Sequence, residues 1–441
     1  MKDVAVIGAG LAGLECARLL EEAELDVTLL EAADAPGGRV RTDVVDGFRL
    51  DRGFQVLLTS YPEAKRSLDY SALSLKAFRP GAMVWQGGRF HRFADPLREP
   101  VAALGSLFDP VVPMMDKIGI MRLRRDMARW KNMEYFEHPE RTTRAFLRDF
   151  GFSDLAIERF FQPLFGGMFL EHELVTSSHF FEFLFRMLSS GSACVPSLGM
   201  EEIPRQLAAT LSPGTLITGA CVKTLKRSKG RFTVEVEGKA PVEARAIVLA
   251  VDERAARLLL SQGNGEGKLG APREWNATTT FYYAAGQAPV DEPMLMLNGE
   301  GSAAGPVNHL AVMTAVSKSY APSGTHLLAA NVVGVAPDTD AEIAALEQEV
   351  RAHMTRWFGQ QVGNWQIVGG YPIRYAVPRQ QMARWEKADT SVQFGSGTDR
   401  GARIYLCGDY RETSSIQGSI ASGRRVADAL ISALKKRTTS Q

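Results

Sequence analysis

The chain has 441 residues, 45% of them hydrophobic, which is enough to bury one large or two ordinary cores in a soluble globular protein. Its 51 basic and 50 acidic side chains leave a formal net charge of +1, which excludes the broad electrostatic footprint of a nucleic-acid-binding protein. Four scattered cysteines (Cys16, Cys194, Cys221, Cys407) and seven histidines show no zinc or other metal-ligand spacing, so no metal is expected and a reducing, cytoplasmic compartment fits.

The first forty residues organise the rest. The strand-like run Val4-Ala5-Val6-Ile7 enters Gly8-Ala9-Gly10-Leu11-Ala12-Gly13, a helix follows, and a second apolar run, Val27 to Leu30, ends on Glu31. In a dinucleotide turn Gly8 permits the bend, Gly10 removes the Cβ that would block a pyrophosphate, and Gly13 allows close packing of helix on sheet. The diphosphate would meet unpaired N–H groups at the helix start, and Glu31 would accept from ribose hydroxyls while repelling a 2′-phosphate. Ala12, Cys16, Leu19, Leu20 and Ala23 give the helix one apolar stripe, with Glu15, Arg18 and Glu22 elsewhere on the wheel. The N-terminal residues therefore read as a strand and not as a targeting segment, and no apolar run is long enough to cross a membrane.

After Gly37-Gly38-Arg39 a hairpin is expected, Val40 to Val45 and Phe48 to Asp51 about an Asp46-Gly47 turn. Residues Leu97 to Ser190 read as helical and rich in Phe, Met and Arg, with helix starts at Pro139 and Ser153. Met200 to Leu211 reads as a helix, Ala220 to Asp252 as strands, and Ile247 to Val251 as a buried parallel strand rejoining the first domain. A glycine-rich boundary loop at Gln262 to Pro272 precedes four strands, Thr278–Ala284, Met294–Leu297, His309–Val316 and Leu327–Val333. A helix from Asp338 to Phe358 stops at Gly359; a last strand, Ile404 to Cys407, leads through Gly408-Asp409 to a helix opened by Gln417-Gly418-Ser419.

These segments together resemble the FAD-dependent superfamily of flavin amine oxidases, phytoene desaturases, hydroxysqualene dehydrogenases and protoporphyrinogen oxidases, along nearly the whole chain. The resemblance implies non-covalent FAD, with Gly8, Ala9, Gly10, Leu11, Ala12 and Gly13 at the diphosphate and Glu31 at the adenosine ribose. Gly38 and Arg39 would continue the diphosphate and ribityl contacts, and Gly53, Phe54 and Gln55 would run past the isoalloxazine ring. Val222 would meet the adenine, Gly408 and Asp409 the ribityl and diphosphate, and Gln417, Gly418, Ser419 and Ile420 the flavin C2 carbonyl. A helix start at that carbonyl stabilises the negative charge of a reduced flavin.

Two departures bear on the chemistry. Amine oxidases of this superfamily usually carry a lysine on the strand that here reads Thr278 to Tyr283, and an aromatic cage residue where this chain has Ser414-Ser415-Ile416. Neither is present, and Gly166-Gly167-Met168-Phe169 with Ala376-Val377-Pro378 looks more like the desaturase and porphyrinogen branches. The expected fold is α/β: a discontinuous Rossmann-like FAD-binding domain (1–75, 195–262 and 395–441) with an inserted α+β substrate domain (76–194 and 263–394, its helical part about 97–190).

The expected activity is hydride transfer from a bulky, largely apolar small molecule to flavin N5, with reoxidation by oxygen or a quinone. An amine oxidase with an unusual cage, or a flavoprotein using FAD structurally or for a non-redox isomerisation, is the alternative. No catalytic side chain is named. Tyr371, Arg374, Tyr375 and Tyr410 are candidates for the substrate wall, with core or surface roles equally open. The aromatic and Met density of Phe160 to Met187 reads either as cavity wall or as core. The segment Leu97 to Ile120 with Arg122, Arg124 and Arg125 reads either as a helical lid or as a peripheral membrane contact; the wider basic run to Lys131 and Lys435 to Arg437 read as solvated faces.

Overall fold

Strand Lys2–Ile7 lies inside a sheet, with Val4 to Ile7 buried and both edges paired. It runs parallel to Val27–Leu30 on one side and to Val242–Leu249 on the other, with Ile7 opposite Leu30 and Leu249. Leu216–Ile217 extends the parallel arrangement beyond Val27–Leu30, and Ala402–Leu406 joins it alongside Ile247 to Leu249. Continuous apolar runs are what strands covered on both faces require. Val242–Leu249 also carries an antiparallel extension through Arg231–Val236 to Val222–Ser228. Ser391–Phe394, on the substrate side of the expected boundary at 395, is hydrogen-bonded to Ala402–Leu406 in this first sheet.

The structure is a computed structural model describing residues 1–95, 97–100, 109, 111–129, 139–228, 230–262, 269, 271–380, 390–394 and 402–438. Most of the glycine-rich loop expected at Gln262 to Pro272, residues 101–108 and 110 of the apolar segment, Lys131, and the side chains of Lys435 to Arg437 lie outside the described residues. Among the described residues no helix is long and apolar enough to cross a membrane, and no group of three or more His, Cys, Asp or Glu is placed to hold a metal ion.

A second sheet runs in the order Gln366–Pro378, Trp275–Ala285, His326–Val333, Val307–Val312, Leu295–Asn298, Gly81–Gln86, Arg89–Ala94. Its pairs are antiparallel except Leu295–Asn298 with Gly81–Gln86. The third expected strand stops at Val312, and Met313–Val316 is a helical turn. The Gly81–Ala94 hairpin and the long edge strand Gln366–Pro378 were not anticipated. The latter holds Gly369, Gly370 and Pro372 and is mostly half-exposed, so it lacks the alternation that marks a strand. Helix Asp340–Phe358 covers one face of this sheet through Leu346, Val350, Met354 and Trp357, and starts at a Thr339–Glu342 capping box.

Helices Met114–Arg129, Thr143–Phe150, Gln162–Phe169 and Ser178–Ser190 form the third layer. The start expected at Pro139 falls instead at Thr142, whose hydroxyl accepts the Ala145 N–H at 3.2 Å; Ser153 caps the next helix as expected. A π-helical turn, Ile157–Phe161, interrupts this region. Helix Leu11–Glu22 packs against the last helix, Ile416–Thr438, so closely that a Cβ on Gly423 would lie 2.3 Å from the Ala12 carbonyl oxygen. The wheel put Glu15 away from the apolar stripe, but it is fully buried. Its carboxylate accepts from Arg424 Nη2 at 2.6 Å, Arg18 Nη2 at 2.9 Å and Ser67 Oγ at 2.9 Å.

Candidate functional site

The glycine turn is built by three different constraints. Gly8 has φ +99°, and a Cβ there would lie 2.7 Å from the Ala250 carbonyl oxygen. A Cβ on Gly13 would lie 1.9 Å from the carbonyl oxygen of Gly8, so this position must be glycine for helix and turn to touch. Gly10 differs: its backbone is extended (φ −70°, ψ 177°) and a Cβ would meet nothing within 4 Å. The space above Gly10 is open. Helix Leu11–Glu22 starts there with no side-chain cap, leaving its first N–H groups to face whatever occupies that space.

Glu31 stands beside the turn, its Oε2 accepting the Ala9 N–H at 2.7 Å and its Oε1 the Ala33 N–H at 2.9 Å. The carboxylate thus fixes the turn while lining the same space, with lone pairs left for a further donor. The Glu31 carbonyl accepts from Ala220 N–H at 2.7 Å, which brings Ala220, Cys221 and Val222 to the same wall.

The far end of the chain closes the site. Arg39 Nη2 donates to the buried Asp409 Oδ1 at 2.6 Å, its Nη1 donates to the Ala376 carbonyl at 2.9 Å, and its guanidinium lies 5.4 Å from the Trp275 ring centroid. Gln55 Nε2 donates to the Arg39 and Arg52 carbonyls, both at 2.9 Å, so Gly53-Phe54-Gln55 is strapped to the Arg39 segment. The Phe54 N–H donates to Thr280 Oγ1 at 3.1 Å. Thr280, on strand Trp275–Ala285, in turn donates to Asn331 Oδ1 at 2.7 Å.

One cavity of about 1500 Å³ joins these parts. Gly8, Gly10, Leu11, Ala12, Glu31, Gly38, Arg39, Gly53, Phe54, Gln55, Val222, Gly408, Asp409 and Ser419 all line it. Ala9 and Gly13 lie behind the wall as parts of the turn. Gln417 instead accepts the Glu63 N–H at 2.8 Å, Gly418 packs on Thr413, and Ile420 is wholly buried in the core. At that helix start the lining residues are Ser414, Ser415, Ile416 and Ser419.

Of the four substrate-wall candidates, Arg374 and Tyr375 line the cavity and Tyr371 and Tyr410 do not. Tyr371 donates to Asp43 Oδ2 at 3.0 Å, and Tyr410 is a core side chain, 1% exposed. Tyr375 lies under Arg254 and edge-on to Trp275, the ring that also carries Arg39, which places it at the glycine-turn end.

The other end is apolar. Phe160, Phe165, Met168, Phe180 and Phe185 line it, whereas Phe161, Phe169, Phe181, Phe183 and Met187 pack behind. Both readings of the Phe160 to Met187 stretch therefore hold, one on each helix face. Of the basic residues near the apolar segment, Arg124 turns inward to Asp95, Arg122 stacks on Phe150, and Arg125 pairs with Asp126. Met115 and Ile118 are 75% and 54% exposed on the same helix.

His309 was not anticipated. It lines the cavity edge-on to Phe54, with ring centroids 4.8 Å apart, and is 3% exposed. Its Nδ1 accepts from Asn308 Nδ2 at 3.0 Å, and burial pushes the imidazole down to about 3. The ring is therefore neutral, with its proton on Nε2.

The sequence profile of flavin containing amine oxidoreductases matches residues 11–431. The chain belongs to that family. The chain is similar to a phytoene dehydrogenase of Streptomyces griseus, 27% identical over 289 residues. That alignment covers 59% of this chain and 56% of the relative, so it spans little more than half the relative's length. Among solved structures, an oxidoreductase from Methanosarcina mazei superposes with a TM-score of 0.74 at 17% identity, over 97% of this chain and all of that one (100%). Wild-type putrescine oxidase bound to putrescine superposes with a TM-score of 0.69 at 19% identity, over 98% and 99% of the two chains. The mixed α/β fold of the family is thus the fold of this chain.

Proposed function

We propose that this chain binds FAD non-covalently and oxidises a bulky, largely apolar small molecule. The observation that carries this reading is the single cavity running from the open space over Gly10 to the Phe160–Phe185 wall. The helix start at Leu11 and the Gly38-Arg39 segment would hold the diphosphate, Glu31 the ribose, Val222 the adenine, and Gly53 to Gln55 with Gly408-Asp409 the flavin end. In this reading the first sheet belongs to the cofactor domain, while the second sheet and the helical layer form the substrate domain. Bound FAD would supply the hydride acceptor, returned to its oxidised form by oxygen or a quinone.

The protein's share of the work would be positioning and the exclusion of water. The aromatic wall would hold the reacting bond in one orientation, and neutral His309 would offer a hydrogen bond without a charge. Oxidation of an apolar substrate is favoured over amine oxidation by Thr280, bonded to Asn331 and Phe54, and by Ser414 and Ser415, bonded to Pro378 and Thr413. None of these offers a lysine-held water or an aromatic cage.

The test is to purify the protein, record its visible spectrum and screen polyenes, porphyrinogens and amines for anaerobic flavin bleaching. Bleaching by an apolar compound, with turnover on adding oxygen or a quinone, is the expected result. A colourless protein that takes up no FAD would sink the proposal.

A further inference from the structure

Charge is unevenly distributed on the apolar part of the cavity wall. Beside Phe93, Met121 and Leu188 the lining includes four cations, Arg79, Arg98, Lys117 and Arg124, and one anion, Asp95. Arg79 is matched from behind by Glu99 and Glu292, and Lys117 Nζ donates to the Asp109 carbonyl at 2.8 Å. Arg98 and Arg124 converge on one carboxylate. Arg124 Nη1 donates to both oxygens of Asp95, at 2.8 and 2.7 Å, and this leaves Arg98 Nε 3.6 Å from Oδ2, beyond a hydrogen bond.

The two guanidiniums also share the Ser189 carbonyl, at 2.8 Å from Arg98 and 2.9 Å from Arg124, and Arg98 reaches the Leu188 carbonyl at 3.2 Å. These carbonyls end helix Ser178–Ser190, whose dipole welcomes a cation but amounts to about half a charge. Two cations thus face one carboxylate and a partial charge. Nε and Nη1 of Arg98 make no hydrogen bond among the described residues. Burial pulls Arg98 below the ordinary arginine range, with the Asp95 charge opposing it and the Arg124 charge adding a smaller push down, although both side chains stay partly accessible, at 25% and 20%.

The same helix supplies the apolar complement. Phe180, Leu184 and Leu188 follow each other at four-residue spacing and all line the cavity. We propose that Arg98, backed by Arg124, is a subsite for a carboxylate on a substrate whose remaining body is apolar and lies along this helix face. Nη2 of Arg98 is held by the Leu188 and Ser189 carbonyls and Nε faces Asp95, so Nη1 is the atom placed to give a carboxylate oxygen a charge-assisted hydrogen bond. The inference rests on reading this cavity as the substrate site.

The experiment uses the purified, flavin-loaded protein and two probes of equal chain length, oleic acid and oleyl alcohol, with binding followed by calorimetry. Wild type should bind the acid about tenfold more tightly than the alcohol, the size expected of a charge-assisted hydrogen bond. Arg98→Gln should lose that preference while keeping the affinity for the alcohol, and Arg98→Lys should restore part of it. If Arg98→Gln does not fold, a reduced preference in Arg98→Lys carries the test, since lysine keeps the charge and loses the fixed direction of the guanidinium donors. A wild type that binds both probes alike, or fails to bind the acid, overturns the proposal, as does an unchanged preference in the variants. A protein that holds no flavin yet prefers the acid keeps the anion subsite and removes the redox reading; a flavin-loaded protein without the preference does the reverse.

Discussion

Arg39 and Asp409 are 370 residues apart in sequence, and their side chains meet at 2.6 Å. Asp409 is 5% exposed and Arg39 39%, so the carboxylate is the partner that cannot fall back on water. Arg39→Ala should therefore cost about 2 kcal/mol of stability through the stranded carboxylate. It should also weaken flavin retention, read as the flavin to protein ratio after gel filtration. Arg39→Ala with unchanged melting and flavin content would show that the pair contributes to neither.

The glycines of the turn divide into two kinds, and substitution should separate them. Gly10→Ala meets open space and an allowed backbone, so the variant should melt like flavin-free wild type and purify without flavin, because the new methyl occupies the space proposed for the diphosphate. Gly13→Ala places a methyl 1.9 Å from a carbonyl oxygen and should lower stability by about 3 kcal/mol or prevent folding. Equal behaviour of the two variants in thermal melts would contradict this division.

Glu15 holds the first helix to the last through Arg424, and to the Pro62–Ser67 helix through Ser67. Glu15→Ala leaves Arg424 and Arg18 facing each other without their shared carboxylate, at a cost of about 3 kcal/mol in urea unfolding. The double variant Glu15→Leu with Arg424→Met should recover part of that loss, since an apolar pair of similar volume removes two of the buried charges while Arg18 keeps Glu22 and Glu63 keeps Arg66.

His309 carries a pH signature of known sign. Its folded pKa of about 3 lies below the unfolded value of about 6.5, so as pH falls through this window the unfolded chain takes up a proton that the folded chain refuses. Stability should fall with a slope approaching about 1.4 kcal/mol per pH unit from this group alone. In His309→Leu the slope of unfolding free energy against pH, measured between about pH 6 and 5, should be smaller by that share. Identical slopes would mean that the imidazole is protonated in the fold.

Much of the glycine turn could be read from the sequence because glycine there answers local geometry: Gly8 serves a bend, and Gly13 a contact with the Gly8 carbonyl five residues before it. The hairpin about Asp46-Gly47 was legible for the same reason, both residues having positive φ. Glu15 was misplaced because a helical wheel records the face of a residue and not its partner, and Arg424 lies 409 positions away. The resemblance set Gln417 to Ile420 at the flavin as a helix start; among the described residues of that helix, Ile416 and Ser419 line the cavity, while the Gln417 and Ile420 side chains are engaged elsewhere. His309 and Arg98 gave no local signal, and Arg124 stood out only as one of a basic group after the apolar segment, since each acquires its meaning from walls supplied by other segments. Gln366–Pro378 was missed because an edge strand next to solvent does not need an apolar alternation.

The pairing order of the first sheet has a consequence for synthesis. As the chain is made, strand Lys2–Ile7 can find Val27–Leu30 almost at once, but its other neighbour, Val242–Leu249, comes more than two hundred residues later. The Ala402–Leu406 strand and Asp409 come later still. A nascent chain would thus carry an apolar strand with one raw edge for most of its elongation, an invitation to chaperones and to mispairing. Cofactor capture would then wait for the Ala402–Leu406 strand and Asp409, and free flavin supplied during expression should raise the yield of intact protein more than the same flavin added after lysis.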